Sequence, residues 1–225
     1  MYLKKNKTYY GIICIVTSCL FFSLMSSIIK FCSEAMSLID ILFLRSIIGL
    51  FILIPIILYK KSTIKTNIFH FHFLRSSIGT LAMVCMFYAI TKLPLANIII
   101  ISFSKIFFII PLAFFFLNEK VKVFSLLFIT LGFFGVSIVI GIENDDYYLS
   151  DYLYVIFGAF LIACIKILIK KISSSETTLA IQFWFACISS LFFFIPYLIY
   201  SDMPELKDLI FIFLASASGL AAQFF

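Results

Sequence analysis

The apolar run at residues 95–117 constrains this chain more than any other stretch, because a lysine interrupts it near its middle. Its 23 residues, bounded by Pro94 and Asn118, can cross about 30 Å of hydrocarbon at about 1.5 Å per residue. Lys105 lies about 16–18 Å from either end, too deep for its ammonium to reach an interface. A charge at that depth costs about 2.5–3.5 kcal/mol. The sequence therefore predicts a partner charge, a water-filled cavity or a substrate beside Lys105.

The composition excludes a soluble domain. Hydrophobic residues make up 64% of the chain and charged residues 12%, and the mean hydropathy is +1.18. These values predict an all-α polytopic membrane protein whose main surroundings are the lipid bilayer. The six cysteines have no CxxC or other metal spacing, so we expect small core residues and predict neither a metal site nor a cofactor.

Charges and prolines divide the sequence into eight apolar segments. They are 10–31, 38–59, 73–92, 94–117, 123–142, 152–169, 179–200 and 209–225. Each of the first seven is long enough to span a bilayer. The first is too long for a signal peptide and has no A-x-A site, so we expect it to remain uncleaved. The eighth ends at Phe225 while still apolar, which favours a C-terminally incomplete chain.

The cationic residues predict the orientation. With the N-terminus in the cytoplasm, eleven loop cations fall inside and three fall outside, which is a strong positive-inside pattern. The inner set is Lys4, Lys5, Lys7, Lys60, Lys61, Lys65, Arg75, Lys120, Lys122, Lys170 and Lys171, and the outer set is Lys30, Lys92 and Lys207. This distribution accounts for the net charge of +6 without a nucleic-acid partner. It predicts a multi-pass protein of the bacterial inner membrane.

An internal repeat follows when the chain is shifted by about 140 residues. Residues 21–30 then lie over 161–170, residues 53–55 over 194–196, and residues 73–79 over 213–219. Five helices separate the copies, and an odd number inverts the second copy across the membrane. We expect a first five-helix repeat at 1–142 and an incomplete second repeat of three helices at 143–225.

Several motifs resemble the EamA-type members of the drug/metabolite transporter superfamily. They are Asp40-x4-Arg45, Leu74-Arg75, Tyr88-Ala89-Ile90, Ile101-Ser102-Phe103-Ser104 and Phe115-Phe116-Leu117-Asn118-Glu119. The pattern is most similar to that of the bacterial S-adenosylmethionine uptake transporters. The resemblance implies ten helices in a five-plus-five inverted repeat and transport of a small metabolite. The lack of a membrane Asp or Glu as a proton carrier favours exchange or facilitated uptake. These relatives carry a proline shortly after the polar start of the fourth helix, where this chain has Ser104-Lys105-Ile106.

Polar residues at helical spacing predict the substrate site. On the fourth helix Asn97, Ser104 and Lys105 share one face with Ile101 and Phe108. The other candidates are Arg45 on the second helix, Ser23 and Ser26 on the first, Tyr88 on the third, and Trp184 as a stacking partner for a base. The competing interpretation is that serines and cysteines pack membrane helices, and that His70 and His72 lie at the interface without binding metal.

Three alternatives to S-adenosylmethionine uptake remain open at this point. Arg45 and Lys105 have no carboxylate at matching depth, which favours a solute that carries an anion, whereas S-adenosylmethionine is on balance a cation. The second alternative is a non-transporting fragment from an interrupted reading frame. The candidate protein partners are a second copy of the chain, in a homodimer, and a complementing C-terminal fragment. An intramembrane enzyme is the third, but HExxH, GxSxG and paired membrane aspartates are absent from the sequence, so no catalytic residue is predicted.

Overall fold

The computed structural model describes residues 2–117, 127, 130–132, 134–135, 138, 148–200 and 204–224, with side chains from Tyr9 onward. Within these ranges the chain is helical. The helices are α1 (Tyr2–Cys32), α2 (Leu38–Lys60), α3 (Phe69–Lys92), α4 (Leu95–Ser102), α5 (Lys105–Leu117), α6 (Leu149–Ile172), α7 (Thr178–Tyr200) and α8 (Leu206–Phe224).

The prediction of a polytopic all-α membrane protein is confirmed. Seven stretches among the described residues are long and apolar enough to cross a membrane, and α4 and α5 together form one of them. These stretches correspond to seven of the eight predicted segments. The remaining segment, 123–142, lies mostly outside the described residues. Many of the largest exposed side chains are aromatic or aliphatic, as a surface in contact with lipid requires.

The expectation of one continuous fourth helix is wrong, because the helix breaks at Phe103 and Ser104. The Ser102 hydroxyl donates to the Ile99 carbonyl at 2.8 Å, which is the acceptor that the Phe103 N–H would use in a regular α-helix. That N–H bonds to the Ile100 carbonyl instead, at 3.2 Å, and i+3 bonds continue through Phe107. Such a tight turn inside a helix is characteristic of hinges. It places Lys105 at the first position of α5.

The two ends of the bundle carry opposite charge. At one end, called here the basic end, segments 61–68 and 173–177 meet: the hydroxyls of Ser62 and Thr177 are 3.4 Å apart. Four of the lysines predicted to be cytoplasmic lie there, namely Lys60, Lys61, Lys170 and Lys171. The other end is called the acidic end because Asp40, Asp151 and Asp208 lie in the first turns of α2, α6 and α8, where a helix dipole favours carboxylates.

The helix contacts are symmetric: the pattern stays the same when α1, α2 and α3 are exchanged with α6, α7 and α8, respectively. The two most extensive contacts are α3 with α6 and α1 with α8, and each becomes the other under this exchange. The next most extensive, α2 with α7, maps onto itself, and the contacts of α2 with α8 and of α3 with α7 are equal in extent. Helix α1 ends at the acidic end, next to the start of α2, whereas α6 ends at the basic end, next to the start of α7, so α1 and α6 run in opposite directions.

Individual contacts repeat at the same 140-residue shift. Helix α1 ends at Cys32 and α6 at Ile172, while α2 begins at Leu38 and α7 at Thr178. The hydroxyl of Ser37 accepts a bond from the amide of Asp40, and that of Thr177 accepts one from Ala180. The hydroxyls of Ser33 and Ser173 donate to the carbonyls of Lys30 and Lys170. The turn between α1 and α2 thus has the same side-chain bonds as the turn between α6 and α7.

Candidate functional site

Arg45 lies inside the bundle, in surroundings that are almost entirely apolar. Its Nη1 is 2.9 Å from the Met83 sulfur on α3, and its Nη2 is 3.4 Å from the Met25 sulfur on α1. The guanidinium carbon is 5.4 Å from the centre of the Phe87 ring, and Nε has no hydrogen-bond partner. Thioethers and an aromatic face are weak partners for a cation. The site holds a guanidinium whose donors remain largely available.

Gly219 on α8 lets that helix approach Arg45 closely. A Cβ at this position would come within 2.6 Å of the Met25 sulfur and 3.1 Å of Arg45 Nη2. The Ser216 hydroxyl, one turn earlier on α8, donates to the Arg45 carbonyl at 3.3 Å. Helix α8 therefore forms one wall of the arginine site, and a larger residue at 219 would displace the guanidinium or the methionine.

A small polar cavity opens beside Arg45 between α2, α7 and α8. Its free volume of about 30 Å³ is room for about two water molecules, so a metabolite needs the helices to separate. The polar side chains that line it are those of Arg45, Ser46, Gln182, Ser189, Ser216 and Gln223. Amides, hydroxyls and a guanidinium can together hold a carboxylate and a second polar group. This cavity brings polar side chains of three helices next to Arg45, a predicted site residue.

Lys105 occupies a different position, at the break between α4 and α5. Its ammonium nitrogen is 5.4 Å from the centre of the Phe103 ring. It is within electrostatic range of Lys166 on α6 and of Cys19 on α1. No carboxylate of the described residues forms an ion pair with Lys105. Two lysines without an acid between them repel each other, so an anion that entered between α1 and α6 would be favoured.

Ser104 and Asn97 are buried on the same side of the α4–α5 pair. Ser104 is 1% exposed, and its hydroxyl oxygen has no hydrogen-bond partner. Asn97 is 4% exposed and lies in α4. The unpartnered hydroxyl of Ser104 therefore lies at the helix break, in the residue directly before Lys105.

The remaining predicted residues do not converge on one place. Ser23 is exposed on α1, and Ser26 donates to its own helix at the Phe22 carbonyl. The centre of the Tyr88 ring lies 4.7 Å from that of Tyr154 on α6, with the two rings tilted by 57°. Trp184 lies at the basic end, where its indole donates to the Ile64 carbonyl at 3.2 Å. The structure brings neither Tyr88 nor Trp184 into contact with Arg45 or Lys105.

Two residues that the sequence suggested were loop or interface groups are buried in α3. His72 is 0% exposed and Arg75 is 5% exposed, because α3 begins at Phe69, four residues earlier than predicted. The ring of Phe185 covers Arg75, with 4.4 Å from guanidinium carbon to ring centre. The helical spacing of His72, Arg75, Ser76, Gly79 and Thr80 was the signal that could have revealed this face.

The family model for the EamA-like transporter family matches residues 9–141, which is more than half of the chain. The chain belongs to the EamA-like transporter family. The match covers α1 to α5, including Arg45, Arg75 and Lys105. Membership in a transporter family, together with the membrane helices, points to a transporter of metabolites and away from an enzyme.

The curated relatives are transporters of chemically different solutes. An S-adenosylmethionine uptake transporter of Rickettsia conorii is 26% identical over 87% of this chain and 67% of its own length. The pseudopaline exporter CntI of Pseudomonas aeruginosa is 28% identical over 80% of this chain and 64% of its own length. A riboflavin transporter of Brucella anthropi is 28% identical over 63% of this chain and 50% of its own length. The chain thus spans about half to two thirds of the length of these relatives.

Proposed function

We propose that this chain is a secondary transporter that moves a small organic metabolite past Arg45, and that S-adenosylmethionine taken up by exchange is the first candidate. The observation that carries the proposal is the guanidinium of Arg45, which has only thioether and aromatic neighbours beside a polar cavity. An unpaired cation inside a membrane protein is a functional feature by default. In S-adenosylmethionine the carboxylate would meet Arg45, and the similarity to the Rickettsia transporter favours this solute.

A second candidate is a metabolite with net negative charge. The observation that favours it is the absence of an acid beside the inner cations of the described residues: Arg45, Arg75 and Lys105 have no carboxylate within ion-pair distance. Such a lining attracts anions and disfavours the sulfonium and ammonium groups of S-adenosylmethionine. The same path would then carry a carboxylate-bearing solute inward or outward.

The proposed setting is the inner membrane, with the N-terminus and the basic end in the cytoplasm. The charge asymmetry of the loops supports this orientation. We also propose that α1–α3 and α6–α8 are copies in an inverted repeat, with 1–142 as the first unit and 143–225 as part of the second. The repeated caps and the exchange of helix contacts support that proposal. Alternating access would follow from rocking of one unit against the other.

The test is uptake of radiolabelled S-adenosylmethionine by bacterial cells that lack this activity and express the chain. We expect uptake above the empty-vector level, accelerated by preloaded unlabelled solute if exchange is correct. Arg45→Gln should abolish it, whereas Ser27→Ala, on the exposed side of α1, should leave it unchanged. Uptake of labelled mono- or dicarboxylates, without uptake of labelled S-adenosylmethionine, would replace the first candidate with the second.

A further inference from the structure

One face of α3 carries a continuous row of polar groups from the basic end to the Arg45 site. The row occupies positions i, i+3, i+4, i+7 and i+8 of the helix, followed by the two residues that contact Arg45. In order these are His72, Arg75, Ser76, Gly79, Thr80, Met83 and Phe87. Every one of them is buried. Polar side chains on a buried face of a membrane helix usually form hydrogen bonds to a neighbouring helix, so the partners of this row decide its role.

The polar groups of this row lack hydrogen-bond partners within the described protein. The unpartnered atoms are His72 Nδ1 and Nε2, Arg75 Nε and Nη1, Ser76 Oγ and Thr80 Oγ1. The nearest acid, Glu176, has its Oε1 3.9 Å from His72 Nε2, which is too far for a hydrogen bond. Since the great majority of buried polar atoms are paired in native structures, six on one helix face indicate a surface built to meet polar groups of something that enters.

Phe185 on α7 covers the middle of this face. Its ring lies over the Arg75 guanidinium, and a Cβ on Gly79 would come within 2.9 Å of the same ring. The small residue at 79 and the flat ring at 185 therefore fit each other. Rotation of this one side chain would uncover the Arg75 guanidinium, without breaking a hydrogen bond of the described structure.

We propose that Arg75 forms a second anion-binding station, which receives the anionic group of the solute between Arg45 and the basic end of the bundle. The inference rests on the proposed transport function and adds a position along its path. Arg75 and Met83, the residue that contacts Arg45, are eight residues apart, or about 12 Å along the axis of α3. An organic anion can thus pass from one guanidinium to the other with Ser76 and Thr80 hydroxyls between them, and Arg75 can bind a carboxylate through two N–H groups at once.

The experiment measures charge selectivity at position 76 and needs no knowledge of the solute. Ser76→Cys and the matched control Ser77→Cys, 100° round the same helix, are introduced into the full chain in membrane vesicles. Each is treated with an anionic (sulfonatoethyl) and a cationic (trimethylammonioethyl) methanethiosulfonate, and modification of that peptide is followed by mass spectrometry. We expect the anionic-to-cationic rate ratio at position 76 to exceed that at position 77 by at least tenfold.

Two further variants link this selectivity to Arg75. In the Ser76→Cys background, Arg75→Gln should reduce the ratio to the Ser77→Cys value, while Arg75→Lys, which keeps the charge and controls for misfolding, should preserve most of it. Equal ratios at positions 76 and 77, or a preference that survives Arg75→Gln, would overturn the proposal. Because the readout is a labelling rate, a failure of S-adenosylmethionine uptake would not produce the same result.

Discussion

Replacing Arg45 with methionine should stabilise the protein while abolishing transport. Arg45 lies about 10 Å inside the acidic end, seven residues into α2. An arginine near the centre of a membrane helix costs about 2.5–3.5 kcal/mol, and a cation–π contact returns about 0.5–2 kcal/mol. Near the middle of both ranges, the contact with Phe87 at 5.4 Å leaves a net cost of about 1–2 kcal/mol. Methionine removes that cost and packs against Met25, Met83 and Phe87.

The gain should appear as a higher unfolding temperature of the purified protein in detergent. For a chain of this size about 1–2 kcal/mol corresponds to about 2–8 °C. Arg45→Lys should give no such gain, because it keeps a charge in the same apolar surroundings. Ile48→Met, one turn away on α2 and without a change of charge, controls for the effect of methionine itself. Transport is measured on the same preparations after reconstitution into proteoliposomes.

A clear loss of stability in Arg45→Met would refute this reasoning. It would show that the guanidinium has a strong partner in the folded protein, because removing one member of a buried charge pair strands the other. A stabilised variant with undiminished transport would instead show that the solute does not contact Arg45. The two results separate the energetic argument from the functional one.

Two other predictions concern Lys105 and the membrane orientation. Lys105→Met should abolish transport and leave the amount of protein in the membrane unchanged or slightly higher, since the lysine has no acid partner among the described residues. The amount is measured on immunoblots, where a fall would reveal a structural partner of Lys105. The introduced cysteines in Thr63→Cys and Ser174→Cys should react with an impermeant thiol reagent added on the cytoplasmic side, and the one in Ser150→Cys should react from the opposite side. Labelling of Thr63→Cys and Ser150→Cys from the same side would contradict the orientation.

Helix boundaries were predictable because apolar length and loop charge determine them. The predicted second and seventh segments differ from α2 and α7 by one residue at an end. The start of α3 was less predictable, since His70 and His72 alternate with phenylalanines in a basic stretch. Only the packing of Trp184 and Phe185 against this stretch decides that it is buried, and the sequence does not reveal that contact.

The break in the fourth segment was not predictable from proline or glycine. Pro111 lies inside α5 without ending it, whereas the break falls at Phe103 and Ser104, where neither residue type occurs. At the break, the Ser102 hydroxyl donates to the Ile99 carbonyl, the acceptor that the Phe103 N–H would use in a regular helix. Serine makes such bonds in many helices without breaking them, and Ser26, Ser27 and Ser77 do so in this chain. The outcome depends on packing around the turn.

The two proposed copies share their architecture but differ in charge where the solute would pass. Positions 45 and 185 are equivalent at the 140-residue shift, and each lies against an equivalent glycine, Gly219 for Arg45 and Gly79 for Phe185. One copy places a cation there and the other an aromatic ring. Positions 31 and 171, also equivalent at this shift, again differ as ring and cation. The Phe31 ring meets the Phe211 ring at the acidic end, whereas Lys171 lies over the equivalent Phe71 ring at the basic end.

This asymmetry separates two tasks that a symmetric pair of helices could not divide. If α2 and α7 both carried arginine, the two cations would repel each other across the centre, and a bound anion would be held too strongly to leave. In the proposed transport path, with Arg45 on one helix and Phe185 on the other, the first copy would supply the charge that attracts the solute. The second would supply an apolar ring that covers the next cation, Arg75, or uncovers it. This proposal assigns selectivity for charge to α2 and α3, and control of passage to α7.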